Sequence, residues 1–248
     1  YWKLDKLLFL GLEQKTKVYQ ASSSELFGKT TQSFQNEQTP FHPRSPYSVS
    51  KLAAYWAIVN YREAYGMFAS NGILFNHESP LRGETFVTRK ITRALSRIVM
   101  GLQKELFLGN INAVRDWGHA RDYMEAAHLI MQHHEPLDLV IGTGKISSVR
   151  EFFLKSCQHL GLTIRFEGKN EDERGYIEAI DHNHLYKSLG FESTFIKVND
   201  CILKINPKYY RPAEVDYLRA DCSKAKKLLN WTPVTSLDDL IKEMVDYD

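Results

Sequence analysis

A strand–helix–strand succession in the first third of the chain limits the folds open to it more than any other feature. Lys17-Val-Tyr-Gln-Ala-Ser22 has the look of a buried strand, and Ala69–Phe75 forms a second. Between them, Ser45-Pro46 reads as a helix start: a hydroxyl able to cap, then a residue that fits the first turn without wasting an N–H. The helix should run to about Tyr65, with Gly66 as its stop. Leu52, Tyr55, Trp56, Val59 and Ala64 recur at three- and four-residue steps, which predicts one buried face.

Before this unit, Leu4–Leu12 reads as the tail of an apolar helix closed at Gly11. Gly28 to Arg44 reads as a polar loop. Further on, the pattern predicts a helix over Phe86–Gly101, a strand over Glu105–Leu108, a helix over Tyr123–His133 and a strand over Leu139–Gly142. Ser147-Ser-Val-Arg-Glu151 has the spacing of a capped helix start, with that helix running to Gly161. A strand over Thr163–Phe166 comes next, and Lys169–Phe195 has no assignable pattern. After a strand at Ile202–Ile205, two short helices, Ser223–Leu229 and Leu237–Val245, flank Trp231-Thr-Pro233. Strands alternating with long helices give an α/β class with a parallel sheet in the first half.

Composition removes several function classes. The net charge is +2 with dispersed Lys and Arg, so neither a nucleic-acid nor a membrane-surface role gains electrostatic support. No apolar run approaches the ~20 residues of a membrane span. Cys157, Cys201 and Cys222 lack metal-ligand spacing and suit a reducing, cytoplasmic setting. His133-His134 is not joined to a third ligand in any His-x-x-x-His pattern, so no metal is expected.

Chemistry gathers where predicted strands end and helices begin. Tyr47 and Lys51 are i and i+4 and project from one helix face, one turn apart. An ammonium there favours a phenolate, which makes an acid/base pair for a hydroxyl or carbonyl. Ser22-Ser-Ser-Glu25 lies at the end of the first strand and Asn76-His77-Glu78-Ser79-Pro80-Leu-Arg82 beyond the second, positions where ligands bind in open α/β sheets.

Taken in order, these clusters resemble the GDP-mannose 4,6-dehydratase branch of the extended short-chain dehydrogenase/reductase family. The resemblance is carried by Tyr-Gln-Ala-Ser-Ser-Ser-Glu-Leu-Phe-Gly (19–28), Pro-Arg-Ser-Pro-Tyr-Ser-Val-Ser-Lys (43–51) and Asn-Gly-Ile-Leu-Phe-Asn-His-Glu-Ser-Pro (71–80). It continues through Thr-Phe-Val-Thr-Arg-Lys-Ile (85–91), Leu-Gly-Asn (108–110), Arg-Asp-Trp-Gly-His-Ala-Arg-Asp-Tyr (115–123) and Tyr-Tyr-Arg-Pro-Ala-Glu-Val (209–215). It covers nearly the whole chain and is weakest over Lys169–Ile205.

The resemblance implies a doubly wound Rossmann-type sheet with a smaller C-terminal α/β substrate region. Residues 1–80 and about 105–145 would belong to the cofactor domain, and 81–248 mostly to substrate binding. It also implies NADP as cofactor, GDP-mannose as substrate and a homo-oligomer, dimer or tetramer, at full length. Tyr47 would be the base at the sugar hydroxyl, with Lys51 beside it and on the cofactor ribose. Glu25 would take the carbon-5 proton and then assist loss of the carbon-6 hydroxyl. The family's threonine is here Ser23, which keeps the hydroxyl without the methyl that restricts its rotamers. His77 and Arg82 match cofactor contacts. Asn76, Arg89, Lys90, Arg115, Arg211 and Glu214 are the expected substrate contacts. Trp117 and Trp231 are expected in the core, and His119 is expected to cap or pack within its turn.

No Gly-x-Gly-x-x-Gly occurs, and Gly142-Thr-Gly144 lacks the third glycine. A cofactor pyrophosphate needs that turn and the helix N-terminus behind it. The chain therefore looks like a family member lacking roughly the first nucleotide-binding half, through either an incomplete sequence or a truncated gene product. Two alternatives stay open: a catalytically silent remnant, and another nucleotide-sugar epimerase or reductase on the same scaffold.

Overall fold

The computed structural model describes residues 2–190, 193–210 and 217–248. In chain order its elements are α1 (Trp2–Phe9), β1 (Val18–Ser23), α2 (Pro46–Tyr65), β2 (Ala69–Leu74), β3 (Asn76–Glu78), α3 (Val87–Val99) and β4 (Leu106–Leu108). Next come β5 (Val114–Arg115), β6 (Trp117–His119), α4 (Ala120–Gln132), β7 (Asp138–Ile141), β8 (Ser147–Ser148), α5 (Val149–His159) and β9 (Leu162–Glu167). The remainder is β10 (Arg174–Ile180), α6 (His182–Leu189), β11 (Cys201–Ile205), α7 (Ser223–Leu229) and α8 (Leu237–Tyr247). No helix among the described residues is long and apolar enough to cross a membrane.

The chain divides into two compact units. The first takes the described residues of 1–77, 115–146 and 213–235, the second those of 78–114, 147–212 and 236–248. Residues 217–235, placed with the second region on sequence, therefore fall in the first unit.

The first unit is built on a parallel sheet in the order β1-β2-β7. α2 and α4 pack on it, enclosing Tyr55, Val59, Ile73, Leu74, Tyr123, Ala126, Ile130 and Val140. The cap expected of Ser45 is formed, reciprocally with Ser48 as a capping box, and Gly66 closes α2 at φ 64°. Two residues expected on the buried face are not there: Trp56 is 55% exposed and Ala64 is exposed. Ala57 and Ile58 take those places, because Ile58 packs with Leu4, Met67 and Ala69 in a second small core. α2 therefore buries a broader arc than a single stripe.

β2 is buried along its whole length although it reads Ala-Ser-Asn-Gly-Ile-Leu. Its polar side chains are engaged. The Ser70 hydroxyl accepts from Leu137 N, and Asn71 donates to Asp138 through both backbone and side chain. Gly72 is required sterically, since a Cβ would lie 1.9 Å from the Tyr19 hydroxyl. Arg62, in the last turn of α2, forks onto Asp138 at 2.6 and 3.0 Å and donates to Ala69 O, fastening helix to sheet.

The second unit has a sheet in the order β4-β11-β10-β9, parallel between β4 and β11 and antiparallel elsewhere, with α3, α5 and α8 packed together. The unassigned stretch 169–195 holds β10 and α6. β10 has no clean alternation and is a strand because it pairs on both sides, with β9 and β11. α6 is capped by Asp181 and stopped by Gly190 at φ 76°.

Candidate active site

In a parallel sheet every strand ends at the same edge. Ser23 pairs with Leu74, and Leu74 with Ile141. The residues just beyond β1, β2 and β7 therefore collect on one rim: Ser24–Glu25, Phe75–His77 and Gly142–Gly144. Sequence expectations for Ser23, Glu25, Asn76 and His77 all fall there.

Ser23 caps the short 3₁₀ turn Ser24–Leu26, its Oγ accepting Glu25 N at 3.2 Å. That contact fixes the start of the turn carrying the half-buried Glu25 and leaves the Ser23 proton available for donation. Lys51 Nζ donates to Ala21 O at 2.8 Å, which brings the first turns of α2 to the end of β1. Tyr47 lies one turn earlier, 53% exposed, its ring centroid 5.8 Å from Lys51 Nζ. The phenol thus points to solvent within reach of a fixed ammonium. Beyond β2, His77 Nδ1 lies 3.0 Å from Phe75 O, and its ring packs on Tyr123 at 5.2 Å.

Arg115 is buried at 8% exposure, next to Asp116 at 0%. Asp116 is the residue that sequence reasoning passed over. Its carboxylate accepts from Thr143 N (2.9 Å), Thr143 Oγ1 (2.6 Å), Gly144 N (2.8 Å) and Ala220 N (3.1 Å). Burial pushes its carboxyl up, against these hydrogen bonds. The amides of Thr143 and Gly144 are thus engaged by a carboxylate and cannot cradle a phosphate. An Asp flanked by motif residues was visible in the sequence, but nothing there said what it would hold. His119 caps α4 by accepting Arg121 N, as expected, and Trp117 and Trp231 are core at 5% and 3%. That cap explains why α4 starts at Ala120, three residues before the expected Tyr123.

In the second unit, Arg82 Nε lies 3.0 Å from the Glu78 carboxylate and the guanidinium stacks on Phe86 at 3.7 Å. Glu78 is 2% exposed and accepts Thr88 Oγ1 at 2.7 Å; burial raises its carboxyl above the usual range, opposed by Arg82 and Thr88. A cofactor role for Arg82 then rests on its remaining N–H groups. Arg89 is held more tightly. Its Nε and Nη2 fork onto Asp248 at 2.8 and 2.6 Å, and Nη1 reaches Arg82 O. At 9% exposure its fork is matched within the second unit. The neighbouring Lys90 differs: its Nζ sits 3.6 Å over the Tyr209 ring, and burial lowers its pKa. Arg211 and Glu214 lie outside the described residues.

A parallel sheet with catalytic-type side chains along its carboxyl rim defines a Rossmann-type α/β protein, and solved structures agree. The RMD protein of Pseudomonas aeruginosa, solved with NADPH, superposes with TM-score 0.72 at 19% identity, covering 99% of this chain and 72% of that one. A dTDP-glucose 4,6-dehydratase from Bacillus anthracis, solved with NAD, gives TM-score 0.69 at 18% identity, covering 99% and 64%. The family profile described as GDP-mannose 4,6 dehydratase matches residues 4–244. Proteins of that name from Vibrio cholerae (52% identical), Dictyostelium discoideum (53%) and Homo sapiens (51%) align over 99% of this chain. The chain belongs to the GDP-mannose 4,6-dehydratase family. It spans 64% of the length of the first two relatives and 61% of the human one.

Proposed function

We propose that the whole protein containing this chain is an NADP-dependent GDP-mannose 4,6-dehydratase, converting GDP-mannose to GDP-4-keto-6-deoxymannose. The observation that carries this reading is the joint placement of Ser23, Glu25 and Lys51 at the end of β1, with Tyr47 exposed one turn from Lys51. Relatives of that name at about half identity supply the substrate, and neighbours solved with NADPH or NAD support a nicotinamide cofactor.

The residues present fit the reactive end of such a cofactor. An exposed phenol and a lysine at a parallel-sheet rim suit a nicotinamide and its ribose, with His77 and Arg82 as further contacts. The glycine turn for its diphosphate is not in this sequence, and the engaged amides of Thr143 and Gly144 do not replace it. When bound, a nicotinamide would supply the hydride exchange between sugar carbon 4 and carbon 6.

The chain's own groups handle the protons. Tyr47 accepts the proton of the 4-hydroxyl, with Lys51 supplying the positive charge that a phenolate faces. Ser23, its Oγ already accepting Glu25 N, donates to the same sugar oxygen. The carbon-4 ketone acidifies carbon 5, and Glu25 removes that proton. Glu25 then carries a proton that it passes to the carbon-6 hydroxyl, which leaves as water. One carboxyl thus serves as base and then acid, and carbon 5 regains a proton from Tyr47 as carbon 6 is reduced, which returns Tyr47 to its starting state. An epimerase working through the same ketone loses no water and has less need of that carboxyl, so Glu25 favours the dehydratase. Lys90 suits a diphosphate oxygen, since it is partly desolvated and lies against Tyr209, with no ion pair to a carboxylate among the described residues. Asn76, Arg115, Arg211 and Glu214 complete the proposed substrate contacts. The test is product identity: the full-length protein with GDP-mannose and NADP should yield a 6-deoxy sugar by NMR. Consumption of GDP-mannose without a 6-deoxy product would defeat the assignment.

A further inference from the structure

The C-terminal end of α4, away from the strand-exit rim, holds a group of side chains that the acid–base chemistry does not use. His133, His134 and Glu135 each offer a ligand atom, and those atoms lie within 4.8 Å of one another. The sequence spacing gave no hint of a site, because three consecutive residues rarely point the same way. Here the helix end turns them together: His133 is the C-cap of α4, and the two imidazoles stack with centroids 4.1 Å apart. We propose that His133, His134 and Glu135 form a surface site for one divalent ion of the zinc–copper class.

Several independent features support the assignment. His133 Nδ1 accepts Glu135 N at 3.3 Å and lies 3.0 Å from Glu135 O. An ion on Nε2 selects the tautomer in which Nδ1–H donates to that carbonyl, the arrangement that metal-bound histidines adopt. Glu135 precedes Pro136, which restricts its backbone to extended conformations and narrows where the carboxylate can go. The negative end of a helix dipole also favours a cation at this end of α4. Two imidazoles and a carboxylate suit a borderline divalent ion better than calcium or magnesium. Tetrahedral ligation at about 2.1 Å needs donor atoms roughly 3.4 Å apart, a modest contraction for side chains that are largely solvent-exposed.

Lys17 works against the site. Its Nζ donates to Met131 O and His133 O, so these carbonyls are engaged and a positive charge is already present. The ligand set is therefore the three side chains alone, with the other positions filled by water, and the affinity is micromolar rather than tighter. His159 and His184 make a useful contrast. Their rings are 6.3 Å apart, with His159 Nε2 at Asp246 and His184 Nε2 at the His159 carbonyl.

The experiment is calorimetric titration of the full-length protein with zinc chloride in a non-coordinating buffer, checked by the absorption of bound Co²⁺. One saturable equivalent is expected. His134→Ala and Glu135→Gln should each weaken it about tenfold or more, while His159→Ala leaves it unchanged. Absence of saturable binding would overturn the proposal, as would binding that survives the double variant His133→Ala/His134→Ala or is lost in His159→Ala.

Discussion

In the first unit, the groups assigned to the proposed chemistry are set by contacts with nearby backbone, and Tyr47 alone of them is largely exposed. Lys51 is pinned to Ala21 O, Glu25 is set by a serine cap, and Tyr47 projects from a capped first turn. In the second unit three arginines are closed off in pairs: Arg82 with Glu78, Arg89 with Asp248, and Arg150 with Glu173 at 2.6 and 2.9 Å. Lys90, against Tyr209, departs from that habit. A motif residue's charge therefore does not tell its role. An arginine whose fork is matched by a buried carboxylate has its charge met within the fold, whereas Lys90 lies against a ring with no carboxylate paired to it among the described residues.

Breaking the open side should cost chemistry without stability. Tyr47→Phe in the full-length protein should lower kcat on the order of 100-fold or more, with the melting temperature unchanged, because the ring is solvent-exposed and only the proton-transfer group is lost. Activity within a few-fold of the parent would move the base elsewhere.

The adjacent pair Arg89 and Lys90 tests the contrast within one helix turn. Arg89→Ala leaves the buried Asp248 carboxylate without its cation, held only by the Thr92 hydroxyl, and should cost about 3 kcal/mol of stability in denaturant unfolding. Lys90→Ala should leave stability within experimental error and raise the KM for GDP-mannose about tenfold, as expected for one charge-assisted contact. The reverse pattern would exchange their roles. The smallest effect is expected at Ser23: Ser23→Thr should change kcat by no more than about threefold, because the added methyl only narrows the rotamers of a hydroxyl already in place.

Much of this was legible in the sequence because the signals are local. Ser45-Pro46, Gly66 and Ser148 with Glu151 mark helix ends that the structure reproduces. The features that were not legible depend on partners far along the chain. β10 is a strand through β9 and β11, and Arg89 is closed by a residue 159 positions away. Asp116 gathers amides from 143, 144 and 220. Trp56 looked like core by spacing, but a helix that packs over a wide arc has no single stripe, and Trp56 ended on the outside, edge-on to Tyr55.

In the proposed reaction, the carboxyl group at the end of β1 performs the dehydration and not the oxidation. Glu25→Gln keeps shape and part of the hydrogen bonding but cannot accept the carbon-5 proton. A single turnover of this variant of the full-length protein with GDP-mannose, quenched with borodeuteride and read by mass spectrometry, separates the steps. Deuterium should be trapped at carbon 4 of a hexose that still carries its carbon-6 oxygen, with 6-deoxy product at least about 100-fold below the parent. Undiminished 6-deoxy product, or no trapped ketone at all, would contradict that division of labour.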